Sequence, residues 1–125
     1  MALAFRDAVL PLCGLNNAGA VAGRQTTLFI QHHGITTVDD LNLLEPNQAK
    51  ELVKQFNSRF PAQGLGILAQ NNLTGLIWYV KDKTRRGLPV DPLEIMVNDL
   101  KDGHLAYKAY TANRDKGENI KALEK

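Results

Sequence analysis

The chain has 125 residues, of which 44% are hydrophobic and 22% charged, values that suit one globular domain with its own core and exclude a disordered or low-complexity chain. Fifteen basic against thirteen acidic side chains leave a formal charge of +2, too small for a global pull toward nucleic acid, so any polyanion site must be local. A single cysteine, Cys13, excludes an internal disulfide, and no Cys/His spacing suits a structural zinc site, so a reducing compartment is expected.

Strand-period alternation is almost absent, while 3.6-residue periodicity recurs with recognisable caps, which predicts an all-α, compact bundle of about five to seven helices. A first short helix is expected over Ala2–Leu10, ending at Pro11; Arg6 and Asp7 interrupt its apolar run and remove the case for a signal peptide. No stretch approaches the ~20 apolar residues of a membrane span, and the reading is a protein of the cell interior, cytoplasmic or nuclear, with no membrane partner. A second helix is predicted from Asn17 to His33, with Val21, Leu28 and Phe29 inward and Gly34 as its left-handed stop. Thr37 then caps a short helix through Leu44, and Pro46 occupies the first turn of the next, with Leu41, Leu44, Leu52, Val53 and Phe56 joining the core.

Phe60-Pro61, Gly64 and Gly66 make a turn before a long helix over Ile67–Arg86, in which Leu73, Leu76, Ile77 and Val80 form one apolar stripe. Gly75 sits in its interior, where glycine is unfavourable by ~1 kcal/mol against alanine and often marks close helix packing. Asp91-Pro92 restarts a helix through Lys101, Asp102-Gly103 breaks it, and His104–Arg114 form a further turn or two carrying Leu105, Tyr107 and Tyr110. Residues 1–114 are therefore read as a single helical domain. Residues 115–125 are a polar tail or short helix whose Ile120, Ala122 and Leu123 dock weakly or await a partner.

No catalytic or metal site is expected. His32 and His33 are adjacent and point about 100° apart on a helix, which prevents chelation of one ion and makes them polar helix-end residues whose partial charge suits the dipole. Ser58 and Cys13 lack the partners of an activated nucleophile, and Asp39, Asp40 and Glu45 are ordinary acids of a first helical turn. Neither a cofactor nor a small-molecule substrate is expected, and the chain is read as no enzyme.

The functional signal lies in Leu73–Asp91, which joins the only tryptophan to four basic residues. Trp78, Lys81 and Arg85 share a face distinct from the apolar stripe, and Lys83 and Arg86 extend the charge. Cations in a last helical turn are favourable in any protein, and Trp78 at the stripe's edge suits a core. An exposed Trp78 beside them makes either a base-stacking surface with phosphate contacts or an aromatic and arginine interface. Tyr107 and Tyr110 form a second candidate patch.

Three resemblances add expectations. Gly34–Leu41, followed by Glu45-Pro46 and an amphipathic helix, resembles the sterile-alpha-motif-like group of small helical domains, whose members bind proteins or nucleic acid or polymerise. Gly64–Ala69 is similar to the phosphate-holding hairpin of helix-hairpin-helix domains, with one residue too few between its second glycine and its alanine, so a plain packing turn is the better reading. Leu76, Trp78, Lys81, Asp82 and Arg85–Pro89, with the upstream GITTVDDLNLL, resemble microalgal, diatom-type proteins that look like the Gag-like amino-terminal part of retroelement polyproteins. That resemblance implies a structural part in particle assembly or packaging, with no catalytic residues to transfer, although the chain lacks the Cys/His knuckle by which many nucleocapsids hold RNA. The expectation is a non-enzymatic domain for self-assembly or protein contact, with a nucleic-acid-binding domain as the alternative.

Overall fold

A computed structural model describes residues 4–123, with side chains as far as Arg114. Four α-helices, α1 Gln25–His33, α2 Ala49–Arg59, α3 Ile67–Arg85 and α4 Val97–Leu123, are joined by short 3-10 turns, and no strand occurs among the described residues. The helical class is as the periodicity predicts.

Apolar or small side chains surround α3: Ala69, Leu73, Thr74, Gly75, Leu76, Ile77 and Val80 are all buried. A helix apolar on so much of its circumference must be central, and α3 touches α4, α2 and the 3-10 turns at Leu10–Cys13, Val38–Leu43 and Pro46–Gln48. Phe29 and Phe56, both fully buried, close the core from α1 and α2 at 6.2 Å between ring centroids. Truncating either to alanine should cost about 3–5 kcal/mol.

The amino-terminal segment differs from expectation in its end. One π-helical turn at Phe5–Val9 runs straight into a 3-10 turn at Leu10–Cys13 that accepts Pro11 in its first positions, so the chain stops at Gly14 rather than at the proline. Gly14, at φ 101°, supplies the left-handed conformation and caps the carbonyls of Leu10 and Pro11. Ala2 and Leu3, the start of the predicted helix, lie outside the described residues, as do Glu124 and Lys125 at the other end.

The predicted helix from Asn17 begins only at Gln25. Asn16 accepts from the Ala18 amide at 2.8 Å, Asn17 accepts from the Thr26 hydroxyl at 2.6 Å, and the Gly19 carbonyl accepts from Arg24 Nε at 3.0 Å. These short-range side-chain bonds offer the backbone an alternative to helix and win over residues 17–24. Val21, expected inward, is consequently 45% exposed. Downstream the caps fall where expected. Gly34 takes φ 71° and donates to the Ile30 carbonyl at 2.9 Å, ending α1. Asp40 accepts from the Thr36 and Thr37 amides at 2.9 and 3.2 Å, which fixes the entry to Val38–Leu43 and holds its carboxyl below the ordinary range. Gln48 reaches back to the Glu45 amide at 2.7 Å as Pro46 opens the turn into α2.

The glycine turn before α3 is held by Asn57, whose Oδ1 accepts from the Leu65 amide at 2.6 Å and whose Nδ2 donates to the Leu65 carbonyl at 3.0 Å. That amide, which a phosphate-holding hairpin needs, is already satisfied within the fold.

The largest departure is at α4. The expected restart at Asp91-Pro92 is only a turn, and one helix then runs unbroken from Val97 through Gly103. Gly103 is no breaker, because it is half of a helix crossing with Gly75. A Cβ on Gly75 would lie 1.8 Å from the Leu100 carbonyl oxygen, and one on Gly103 would lie 2.3 Å from that of Gly75. The backbones of α3 and α4 touch where neither carries a side chain. The packing role expected for Gly75 is met, and its partner is the residue that local propensity marked as a stop. The apolar residues Ile120, Ala122 and Leu123 of the expected tail lie beyond the described side chains.

Candidate functional site

Past the Gly75/Gly103 crossing, the two helices carry large aromatics toward each other. Trp78 stands one turn beyond Gly75, and Tyr107 and Tyr110 stand one and two turns beyond Gly103. The Trp78 ring centroid lies 6.0 Å from that of Tyr107 and 5.5 Å from that of Tyr110, at tilts of 59° and 49°. What the sequence offers as two separate patches is one aromatic cluster. It borders a cleft of about 630 Å³ that α3 and α4 share with the segment Asn42–Asn47.

The charged residues of the motif are distributed more selectively. Lys81 enters the cleft, donating to the Asn42 carbonyl at 3.1 Å with the Glu45 carboxylate 3.7 Å away, so it ties α3 to the opposite wall. Arg85 also lines the cleft and pairs with Asp82. Arg86 bonds the other oxygen of the same carboxylate at 3.0 Å but lies outside the cleft lining. Lys83 turns to another side of the helix, where its Nζ stands 5.2 Å from the Tyr79 ring centroid. Five residues separate Lys83 from Trp78, which places it about 140° around the helix. The expected five-residue site thus reduces to Trp78, Lys81 and Arg85, with Arg86 at its edge and Lys83 elsewhere.

Sequence reasoning missed Asp82, Pro46 and Arg114. Arg114 lines the cleft and holds its guanidinium 5.9 Å from the Tyr110 ring centroid. Its signal was available, since Tyr107, Tyr110 and Arg114 recur at i, i+3 and i+7 along one helix face.

Away from the cleft, two titratable side chains are turned inward. Cys13 is fully buried, and burial pushes its thiol far up, away from nucleophilic use. His33 ends α1 as expected, but burial and the neighbouring His32 push it down to about 4, so it is neutral near pH 7 and adds no charge to the dipole. Its ring packs edge-on against Phe29 at 4.6 Å between centroids. Among the described residues no three His, Cys, Asp or Glu side chains gather as a metal site, and no helix is long and apolar enough to cross a membrane.

Comparison with protein-family models, curated proteins and solved structures finds no match to this chain. The cleft's chemistry is therefore the ground on which function is argued.

Proposed function

We propose that the chain is a non-enzymatic interaction domain acting in self-assembly or protein contact, and that the α3–α4 cleft is its contact surface. The observation that carries this is the convergence of Trp78, Tyr107 and Tyr110 with Arg85 and Arg114 around one cleft. Tryptophan, tyrosine and arginine are the residues that dominate protein interfaces, because rigid rings and a planar guanidinium give large contact area for little lost rotamer freedom. The Gag-like pattern of Leu76–Pro89 fits an assembly role without adding residues to it.

Charge pairing favours this reading over nucleic acid. Lys81 is engaged by Asn42 and Glu45, and Arg85 and Arg86 share Asp82, so a phosphate would have to compete with carboxylates already in place. The alternative, phosphate contacts with Trp78 stacking on a base, predicts steep weakening with salt.

Size-exclusion chromatography with light scattering, at low and high salt and with a mixed-sequence oligonucleotide, separates the two. An oligomer that tolerates salt and ignores the oligonucleotide supports the proposal. A monomer that co-elutes with nucleic acid only at low salt, and loses it in Arg85→Ala/Arg86→Ala, overturns it.

A further inference from the structure

A second surface of the molecule carries charge opposite to that at the edge of the cleft. Between α3 and α4 the chain from Leu88 to Asp99 carries Asp91, Glu94 and Asp99 and no basic residue. Its tip is held rigidly: the Asp91 carboxylate accepts from the Leu93 amide at 2.9 Å, and the Asp91 carbonyl accepts from the Glu94 amide at 3.0 Å. The Met96 amide donates to Asp99 at 2.8 Å. Ile95 is buried and anchors the segment from below. The consequence is that Leu93 and Met96 are presented outward, 74% and 67% exposed, beside the exposed Glu94, which has no ion-pair partner among the described residues.

Leu93 and Met96 stand among several exposed large apolar side chains, with Leu43, Ile67, Leu68 and Leu105. The neighbours of Leu93 and Met96 are acidic, whereas at the edge of the cleft Arg85 and Arg86 draw on the single carboxylate of Asp82. One carboxylate, Asp82, serves both Arg85 and Arg86, so an incoming carboxylate can take over one of the two arginines, in the same competition a phosphate would face. The segment's end stands apart from the aromatic end of its own cleft. Val97, where α4 starts, and Tyr110 are thirteen residues apart on one helix, about 20 Å along its axis.

We infer that the cleft binds the Asp91–Met96 segment of a second copy of this chain, Leu93 and Met96 entering against Trp78, Tyr107 and Tyr110 while Glu94 meets Arg85. This rests on reading the cleft as a protein-binding surface and names its occupant. Two different surfaces then meet, so the contact either repeats from copy to copy in a chain or ring or is made twice, reciprocally, in a two-fold dimer. Its small size sets it among weak interfaces that need high concentration or a tether.

The test is sedimentation velocity of the full chain from about 10 μM to about 1 mM, a range chosen for weak contacts. The wild type is expected to self-associate as concentration rises. Leu93→Asp/Met96→Asp removes only the segment, and Arg85→Glu/Tyr110→Ala removes only the cleft; all four positions are exposed, and circular dichroism checks that each variant keeps its helices. Each variant alone should stay monomeric, and an equimolar mixture should form a dimer and nothing larger, because one intact cleft remains to meet one intact segment. A wild type that stays monomeric overturns the inference, as does a mixture that stays monomeric. If the segment variant assembles like wild type while the cleft variant does not, the occupant is wrong and the cleft reading stands. If both variants assemble like wild type, both readings fail.

Discussion

Gly75 and Trp78 lie three residues apart on α3, yet the contact with α4 is built in opposite ways at the two positions. At Gly75 there is no side chain on either helix and the backbones touch; at Trp78 three rings from the two helices meet beside an open cleft. The difference teaches that one helix pair can pass from tight backbone packing to an open aromatic surface within a single turn. Close approach at the crossing fixes the geometry, and the side chains beyond it are released from packing the two helices together. Mutations on the two sides should therefore differ greatly in magnitude and in what they change.

Gly75→Ala should give the largest effect. In an isolated helix this substitution gains about 1 kcal/mol, but here the new Cβ would meet the Leu100 carbonyl at 1.8 Å and the His104 amide at 2.9 Å. Backbone cannot swing aside as a side-chain end can, so a loss of about 3 kcal/mol or more is expected in urea unfolding. Gly103→Ala, at 2.3 Å from the Gly75 carbonyl oxygen, should also destabilise, somewhat less. A neutral or stabilising result at either position would mean that the helices separate easily, and the contrast with the cleft would collapse.

These two glycines also mark where the sequence could be read and where it could not. Signals that act within one turn were legible: Gly34 as a stop, Asp40 and Thr37 at the entry to Val38–Leu43, Pro46 before α2, and the apolar stripe of α3. Gly75 was legible as a packing position because nothing else excuses a glycine inside a strong helix. Gly103 was not, since after Asp102 it has the local form of a break, and only the approach of α3 from elsewhere in the chain makes it a helix residue. The same limit hid the union of Trp78 with Tyr107 and Tyr110, which depends on where the crossing falls. The non-helical stretch 17–24 was missed for a local reason, the asparagine bonds at Asn16 and Asn17.

A smaller effect comes from pH, through the same division between dry and wet positions. His33 is turned into the core against Phe29, whereas its neighbour His32 is exposed. With a folded value of about 4 against an ordinary 6.5, the unfolded chain binds this proton first as pH falls. Stability is therefore complete above about pH 6.5 and declines between there and pH 4. Because His33 is only half buried, solvent screening limits the loss to about 1–2 kcal/mol. Burial lowers His104 as well, so it adds in the same direction. Thermal melts of wild type and His33→Gln from pH 7 to pH 4.5 should show a shallower decline in the variant; parallel curves would place the acid sensitivity elsewhere.

On the cleft side, Tyr110→Ala should change stability by less than about 1 kcal/mol, because the ring is half exposed and its loss opens no core cavity. It should nevertheless uncover Trp78, the only tryptophan, and shift its emission to longer wavelength. An unchanged spectrum would show that Tyr107 alone covers the indole.

The smallest effect on stability is expected from Asp82→Asn, and its smallness follows from opposing contributions. The pairs with Arg85 and Arg86 are surface ion pairs, each worth a few tenths of a kcal/mol. Removing a negative charge near the carboxy-terminal end of α3 also relieves an unfavourable interaction with the helix dipole, which offsets part of that loss. Net stability should move by no more than about 0.5 kcal/mol. The cleft, however, loses one of its two carboxylates while keeping Lys81, Arg85 and Arg114, and both arginines that shared Asp82 become available to an outside anion. If the cleft takes an acidic protein segment, association should tighten, most visibly at low salt, with the oligonucleotide still ignored. If the variant instead acquires salt-sensitive oligonucleotide binding that the wild type lacks, Asp82 is the residue that keeps this surface from nucleic acid, and the protein reading depends on one carboxylate.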